Sequence, residues 1–154
     1  MRLIDYIRPE LVVPDLRAKG LPDAIHDLVD RIRAAGVVAD PEALETALLD
    51  RESTHTTAMG SGVAVPHATV PGLDRPIVMV AISPDGTAFG PVGLDPVHVF
   101  FVLLSPPNQT GLHIKLLARI ARLVRHPGFV AGLKHAETVD SVLEELERVD
   151  AGHV

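Results

Sequence analysis

The sequence contains no cysteine and no tryptophan, and aromatic residues make up only 3% of it. Without cysteine the chain has no disulfide, no thiolate ligand for a metal ion and no cysteine nucleophile. So few aromatic side chains offer no platform on which nucleic-acid bases could stack. The net charge of −6 argues against nucleic acid as well, because proteins that bind it usually present a basic patch.

Long hydrophobic runs are also missing. No apolar stretch reaches the roughly 18 residues that a helix needs to cross a membrane. The opening segment MRLIDYIRPELVV carries Asp5 and Glu10 where a secretory signal would be apolar. We therefore expect no signal peptide, no membrane insertion and a cytoplasmic location.

The residues that are present suit one globular domain over 1–154, since 47% of them are hydrophobic and 22% are charged. Apolar runs predict strands at 10–15, 62–67, 75–83 and 96–105. Helical spacing and capping residues predict helices at 22–36, 40–52, 111–126, 127–136 and 138–149. Continuous apolar runs are typical of strands that are covered on both faces. The pattern predicts an α/β fold with helices on both faces of a central sheet.

One stretch, RESTHTTAMGSGVAVPH at 51–67, has a composition that a plain strand and loop would not need. Pro66 stiffens the backbone before His67 because its ring fixes φ. Gly60 and Gly62 allow backbone shapes that can aim N–H groups at an anion, and Thr57 and Ser61 add hydroxyl donors. Together these residues predict a phosphate site that faces an imidazole. The alternative is a histidine at a strand end that meets solvent, with ordinary loop polarity around it.

A second histidine, His113, lies in the first turn of the helix predicted at 111–126. Leu116, Leu117 and Ile120 follow at the spacings that share one helix face, so His113 belongs to the inward face. A helix N-terminus favours anions, and His113 there could donate to a phosphoryl oxygen. A core histidine bonded to a carbonyl is the alternative interpretation.

Arg51 ends the second predicted helix and offers a planar fork of donors that fits phosphate. The alternative role is a cation that complements the helix C-terminus. Other catalytic motifs are absent: the sequence has no phosphate-binding G-x-x-x-x-G-K loop, no G-x-S-x-G and no H-E-x-x-H. The remaining histidines lack metal-ligand spacing, so we expect no metal and no cofactor; they are His26, His55, His98, His126, His135 and His153.

The segment 51–67 resembles the signature of the fructose/mannitol-type IIA domains of the bacterial phosphoenolpyruvate-dependent sugar phosphotransferase system. In that family an Arg-Glu pair precedes a glycine-rich run and an aliphatic-Ala-aliphatic-Pro-His block. The later segment DPVHVFFVLLSPPNQTGLHIKLLARIARLV looks like the second block of the family, a strand followed by a helix that opens with a histidine. The resemblance extends over nearly the whole chain.

The resemblance implies that His67 is the phosphorylated histidine and that His113 and Arg51 complete the active site. It also implies a central mixed sheet, a phosphoryl donor that is the carrier protein HPr or a paralogue, and a IIB component or a regulated protein as acceptor or partner. Two positions depart from the family pattern. Ala58 replaces the first usual glycine, and Thr69 replaces a basic residue, which leaves Arg51 with more of the charge on phosphate.

Phosphoryl transfer between histidines needs in-line positioning and charge neutralisation more than covalent help. One ring nitrogen of the accepting histidine must attack, and the other must donate to a fixed acceptor that sets the tautomer. Two hypotheses follow from the sequence. The first is a phosphotransfer component of either the sugar-transport or the nitrogen-regulatory branch. The NQT before Gly111 and the lack of a permease or IIB segment in this sequence favour the nitrogen-regulatory branch. The second is a non-catalytic binding module that keeps the fold.

Overall fold

The computed structural model describes residues 1–152; His153 and residue 154 lie outside the described part. The strands are β1 (Ile7–Val13), β2 (Val63–Ala64), β3 (His67–Thr69), β4 (Ile77–Thr87) and β5 (Val97–Ser105). The helices are α1 (Leu21–Ala35), α2 (Pro41–Thr54), α3 (Thr110–Val124), α4 (Phe129–Lys134) and α5 (Val139–Ala151), and a 3-10 turn at Leu3–Tyr6 precedes them. The predicted α/β architecture is confirmed.

The sheet is mixed. Its order is β1-β4-β5-β2, and β3 pairs with β5 as well. Strand β1 is parallel to β4, β4 is antiparallel to β5, and both β2 and β3 are parallel to β5. Strands β2 and β3 therefore follow one another along the same side of β5, and the ends of β3 and β5 lie at one edge of the sheet.

Both faces of the sheet are covered, as the continuous apolar runs predict. Helices α1 and α2 pack on one face against residues such as Met79 and Phe100. Helices α3, α4 and α5 pack on the other face against residues such as Val80 and Phe101. Because successive strand residues point to opposite faces, neighbouring residues of β4 and β5 supply the two cores in turn.

Two strand boundaries differ from the prediction. The predicted strand 62–67 is divided, because Pro66 has no N–H to donate to the ladder, although its carbonyl accepts from the Leu103 N–H at 3.0 Å. Strand β1 begins at Ile7 rather than at residue 10 and includes Pro9. Proline is tolerated there because β1 is an edge strand.

The predicted helix caps hold. Asp40 accepts a hydrogen bond from the Ala43 N–H at 3.1 Å at the start of α2. Thr138 and Ser141 form a reciprocal capping box at the start of α5. Helix α2 continues two residues beyond its predicted end, to Thr54, which places Arg51 in its last turn.

A buried ion pair joins α3 to α5. The Arg119 guanidinium donates to the Asp150 side chain at 2.9 Å and to the Asp150 carbonyl at 2.8 Å. The second carboxylate oxygen of Asp150 accepts from the Ile4 N–H at 2.9 Å. Asp150 is 1% exposed and Arg119 is 7% exposed, so this one carboxylate ties the first turn of the chain to two helices away from water.

We predict that Asp150→Ala lowers the free energy of unfolding by about 3–5 kcal/mol, since removing one partner leaves a buried charge without its counter-ion. Urea denaturation followed by circular dichroism measures the loss. Arg148→Ala, which breaks an exposed ion pair with Glu145 on the same helix, is the matched control and should cost far less. Equal losses for the two variants would show that the buried pair has no special role.

Candidate active site

His67 opens β3, where it pairs with Leu103 of β5. Its Nδ1 lies 2.8 Å from the carbonyl oxygen of Val65. A carbonyl can only accept, so Nδ1 carries a proton, and in the neutral ring Nε2 is therefore the nitrogen that keeps its lone pair. The expected fixed acceptor is therefore present, and it is a main-chain atom two residues before the histidine.

The segment that supplies this acceptor is itself held in place. The Val65 N–H donates to the Thr57 carbonyl at 3.2 Å. The Thr57 N–H donates to one oxygen of the Glu52 carboxylate at 3.0 Å, and the Thr57 hydroxyl donates to the other. Glu52 is 6% exposed, so its carboxylate is stabilised by these two donors rather than by water. A chain of hydrogen bonds thus runs from α2 through Thr57 and Val65 to the His67 ring.

His113 lies beside His67. The centroids of the two rings are 5.5 Å apart, at an interplanar angle of 57°. The His113 ring is half-buried in the first turn of α3, as its spacing predicts, with Leu116 and Ile120 buried behind it. Its Nδ1 lies 2.6 Å from the hydroxyl of Ser105, the last residue of β5. The two predicted site histidines are therefore brought together from segments 46 positions apart in the sequence.

The surroundings of His113 favour its neutral form. Burial, then the neighbouring His67, then the positive charge of Arg51 lower the pKa of His113 below its ordinary value of 6.5. Between that lowered pKa and 6.5 the unfolded chain binds more protons, so this group makes folding more favourable as the pH rises through the window. At neutral pH the site holds a neutral His113 and a positive Arg51.

Arg51 is exposed in the last turn of α2. Within residues 1–152 its guanidinium makes no hydrogen bond or ion pair with another side chain, whereas its carbonyl accepts the helix-ending bond from the His55 N–H at 3.0 Å. Its donors are therefore available to an anion near the two histidines. Thr69 is exposed at the end of β3 and brings no cation to the site.

The glycine turn is not where the sequence placed it. The Gly62 carbonyl accepts from His98 at the start of β5, whereas His67 pairs with Leu103 near its end. Five strand residues at roughly 3.3 Å each separate these points by about 16 Å. A Cβ on Gly60 would meet Leu94 and one on Gly62 would meet the Pro96 carbonyl, which also places the turn away from His67.

The phosphate-binding role predicted for Gly60, Ser61 and Gly62 is thus not supported by their position. The turn instead reverses the chain, with Met59 N–H donating to the Val63 carbonyl at 2.8 Å. The φ angles of Gly60 and Gly62, 77° and 81°, require glycine. Thr57 does lie near the site, but its hydroxyl is committed to Glu52. Ala58 causes no backbone strain, because every positive φ in residues 1–152 belongs to a glycine.

Two contributors were missed in the sequence. In the sequence, Glu52 was interpreted only as the neighbour of Arg51. A carboxylate just before a threonine-rich loop can nevertheless accept hydrogen bonds from that loop. Ser105 read as the end of an apolar run. Its signal was a polar residue closing a buried strand immediately before the turn that leads to His113.

The described residues 1–152 contain no group of three or more histidine, aspartate or glutamate side chains that could hold a metal ion. None of the helices within the same range is both long and apolar enough to cross a membrane.

Comparison with known proteins places this chain in a family. The model of the family described as "Phosphoenolpyruvate-dependent sugar phosphotransferase system, EIIA 2" matches residues 5–149. The chain belongs to this family. The resemblance that residues 51–67 suggested is therefore confirmed.

Relatives in the EIIA 2 family carry two kinds of name. A nitrogen regulatory protein of Bradyrhizobium diazoefficiens is 32% identical over 147 residues, which cover 95% of both chains. A fructose-specific EIIA component of Haloferax volcanii is 32% identical over 126 residues, which cover 82% of both. The chain also aligns with a fructose-specific EIIABC component of Bacillus subtilis at 24% identity, and it spans only 24% of the length of that relative.

Solved structures of the family share the fold. The crystal structure of the nitrogen regulatory protein IIA-Ntr from Neisseria meningitidis superimposes with a TM-score of 0.83 at 21% identity, covering 94% of this chain and 98% of that one. A complex of enzyme IIA mannitol and phosphorylated enzyme IIB mannitol from Escherichia coli matches with a TM-score of 0.77 at 24% identity, covering 92% and 99%. That solved complex joins a IIA component to its IIB component.

We predict that Arg51→Gln raises the pKa of His113, because it removes a positive charge that disfavours the imidazolium ion. Titration of the His113 ring by NMR measures the midpoint, which should lie below 6.5 in the parent protein and move upward in the variant. Lys115→Gln removes a charge from the exposed side of the same helix turn and is the control, with a smaller shift expected. An unchanged midpoint in Arg51→Gln would place Arg51 too far from the site to act on phosphate.

Proposed function

We propose that this chain accepts a phosphoryl group on Nε2 of His67 from a phosphohistidine on HPr or a paralogous carrier protein. The observation that carries the proposal is the hydrogen bond from Nδ1 of His67 to the Val65 carbonyl. In the neutral ring, that bond leaves Nε2 as the nitrogen with a free lone pair. A neutral imidazole with a fixed tautomer is a competent nucleophile near neutral pH.

The transfer step balances without a proton shuttle. The Nε2 lone pair of His67 attacks the phosphorus, a new N–P bond forms, and the N–P bond of the donor breaks with its electron pair returning to the donor imidazole. Nε2 has no proton to lose, so no general base is required. The His67 ring gains positive charge, and the Val65 carbonyl at Nδ1 stabilises it.

Two neighbouring side chains stabilise the negative charge on the phosphoryl group during transfer. Arg51 offers paired donors that fit phosphate oxygens, and its guanidinium has no other ion pair within residues 1–152. His113 is close enough to contribute a further donor. Ile114, the residue after His113, is 60% exposed and suits the apolar docking of a carrier that must bring its own phosphohistidine within reach.

We predict an acid-labile adduct of about +80 Da, the mass of one phosphoryl group, after incubation with phosphoenolpyruvate, the first enzyme of the system and HPr, because the phosphoryl group sits on an activated imidazole. Intact mass spectrometry measures the adduct, and 31P–1H NMR assigns it to Nε2. His67→Ala should abolish it.

His55→Ala, which removes an exposed histidine of the neighbouring loop, is the matched control and should keep the adduct. His113→Ala should keep it too but form it more than about tenfold more slowly, a barrier increase of about 1.4 kcal/mol. Label that persists in His67→Ala would defeat the assignment. A parent protein that takes no label would favour the rival hypothesis of a non-catalytic binding module.

We propose further that phosphorylation of His67 acts as a switch on a regulated partner. Support comes from the match to a nitrogen regulatory protein over 95% of both chains and from charge. A phosphoryl group adds close to two negative charges to a chain at −6, at a surface position between two helix ends. An acidic partner that covers the site would be expelled.

We predict that a regulated partner binds the phosphorylated protein and the His67→Ala variant with affinities that differ at least tenfold, about 1.4 kcal/mol. Affinity capture on both forms, followed by titration of each purified partner, measures the difference. Rapid discharge of the phosphoryl group to one sugar-specific IIB protein, with no partner that distinguishes the two forms, would instead make this a sugar-transport IIA.

A further inference from the structure

Ser105 makes an unusual contact for a strand residue. It closes β5, pairs with Thr69 of β3 and is 1% exposed. Its carbonyl accepts from the Val70 N–H at 2.8 Å, so its backbone is fixed by the sheet. Its hydroxyl lies 2.6 Å from Nδ1 of His113. A rigid strand end therefore presents one hydroxyl to the second histidine of the site.

The direction of this hydrogen bond follows from burial. A hydroxyl can donate or accept, and so can a neutral imidazole nitrogen. If Nδ1 of His113 donated, the Ser105 hydroxyl proton would need another acceptor, and within residues 1–152 its oxygen has no hydrogen-bond partner besides His113. A buried donor without an acceptor is disfavoured. The hydroxyl therefore donates to Nδ1, and the ring proton of neutral His113 sits on Nε2.

We propose that Ser105 is a positioning residue that holds His113 as the Nε2–H tautomer, so that His113 presents an N–H donor to the phosphoryl group on His67. The proposal rests on the proposed function of His67 and adds a residue that acts on it through His113. The two histidines are then complementary: His67 carries its proton on Nδ1 and offers a lone pair, and His113 carries its proton on Nε2 and offers a donor.

The hydrogen bond from Ser105 also explains how His113 keeps an N–H on Nε2 although its ring carries no positive charge. The pKa of His113 is lowered by burial, then by the neighbouring His67 and by the positive charge of Arg51, so the ring is neutral and has only one N–H. In the wrong tautomer that single N–H would point at Ser105, and the phosphoryl group would meet a lone pair. Ser105 thus decides whether a neutral His113 attracts or repels phosphoryl oxygens.

The test reads the tautomer directly in the unphosphorylated protein. Long-range 1H–15N NMR at about pH 8, above the ordinary histidine pKa of about 6.5, distinguishes protonated from unprotonated ring nitrogens. In the parent protein we expect His113 to be protonated at Nε2 and not at Nδ1. In Ser105→Ala we expect both nitrogens to report a mixture, and in Ser105→Thr, which keeps the hydroxyl, we expect the parent pattern.

The kinetic arm compares rates of phosphoryl transfer from phospho-HPr. Ser105→Ala should slow labelling of His67 by up to roughly tenfold, equivalent to about 1.4 kcal/mol, and Ser105→Thr should recover most of the rate. Ser83→Ala is the matched control, because Ser83 is also a strand serine at 1% exposure whose hydroxyl is bonded, here to Thr87 at 2.9 Å. It should change neither the tautomer nor the rate.

Two results would overturn the proposal: a parent protein with His113 protonated at Nδ1, or a Ser105→Ala variant with the parent tautomer and rate. The spectra need no phosphoryl donor, so they separate this inference from the proposed function. A parent protein that shows the Nε2–H tautomer but takes no label would support the action of Ser105 on His113 and refute the phosphoryl transfer.

Discussion

The hydrogen bond between Nδ1 of His67 and the carbonyl of Val65 is the contact on which the rest of the site depends. It decides which nitrogen of the neutral ring keeps its lone pair, and it requires a rigid chain between the two residues. Pro66 provides that rigidity, and its carbonyl is pinned to Leu103. The carboxylate of Glu52 secures Thr57 and, through it, Val65. A buried acid on a neighbouring helix thus helps to aim the imidazole.

The mixed sheet explains why these parts meet. Strands β3 and β5 are parallel, so β3 starts with His67 near the point where β5 ends and the chain turns into α3. That turn delivers His113 in the first turn of the helix. Helix α2 ends on the same side with Arg51 in its last turn. Two helix ends and one strand edge therefore converge, and Arg51, His67 and His113 each come from a different element.

The sequence predicted much of this arrangement and failed where pairing register decides position. Helices and caps followed from spacing and from residues such as Asp40 and Thr138, because those signals are local. His67 and His113 stood out because proline and a helix start mark them. The glycine turn was misplaced because nearness in sequence does not fix which part of β5 lies beside Gly62. Ser105 was overlooked because its partner lies across a turn, and a polar residue at the end of a buried strand does not by itself show which ring nitrogen its hydroxyl will contact.

The two atoms that orient the histidines differ in how easily a mutation can remove them. The acceptor for His67 is a backbone oxygen, so an exchange of the side chain at position 65 for another apolar one keeps it. The partner of His113 is a side-chain hydroxyl, which a single codon change at position 105 removes or restores. Under the proposed function, a mutation at position 105 can therefore alter the contribution of His113 while the orientation of His67 is kept. A protein that works as proposed can then diverge in its rate of phosphorylation while its capacity to be phosphorylated is preserved.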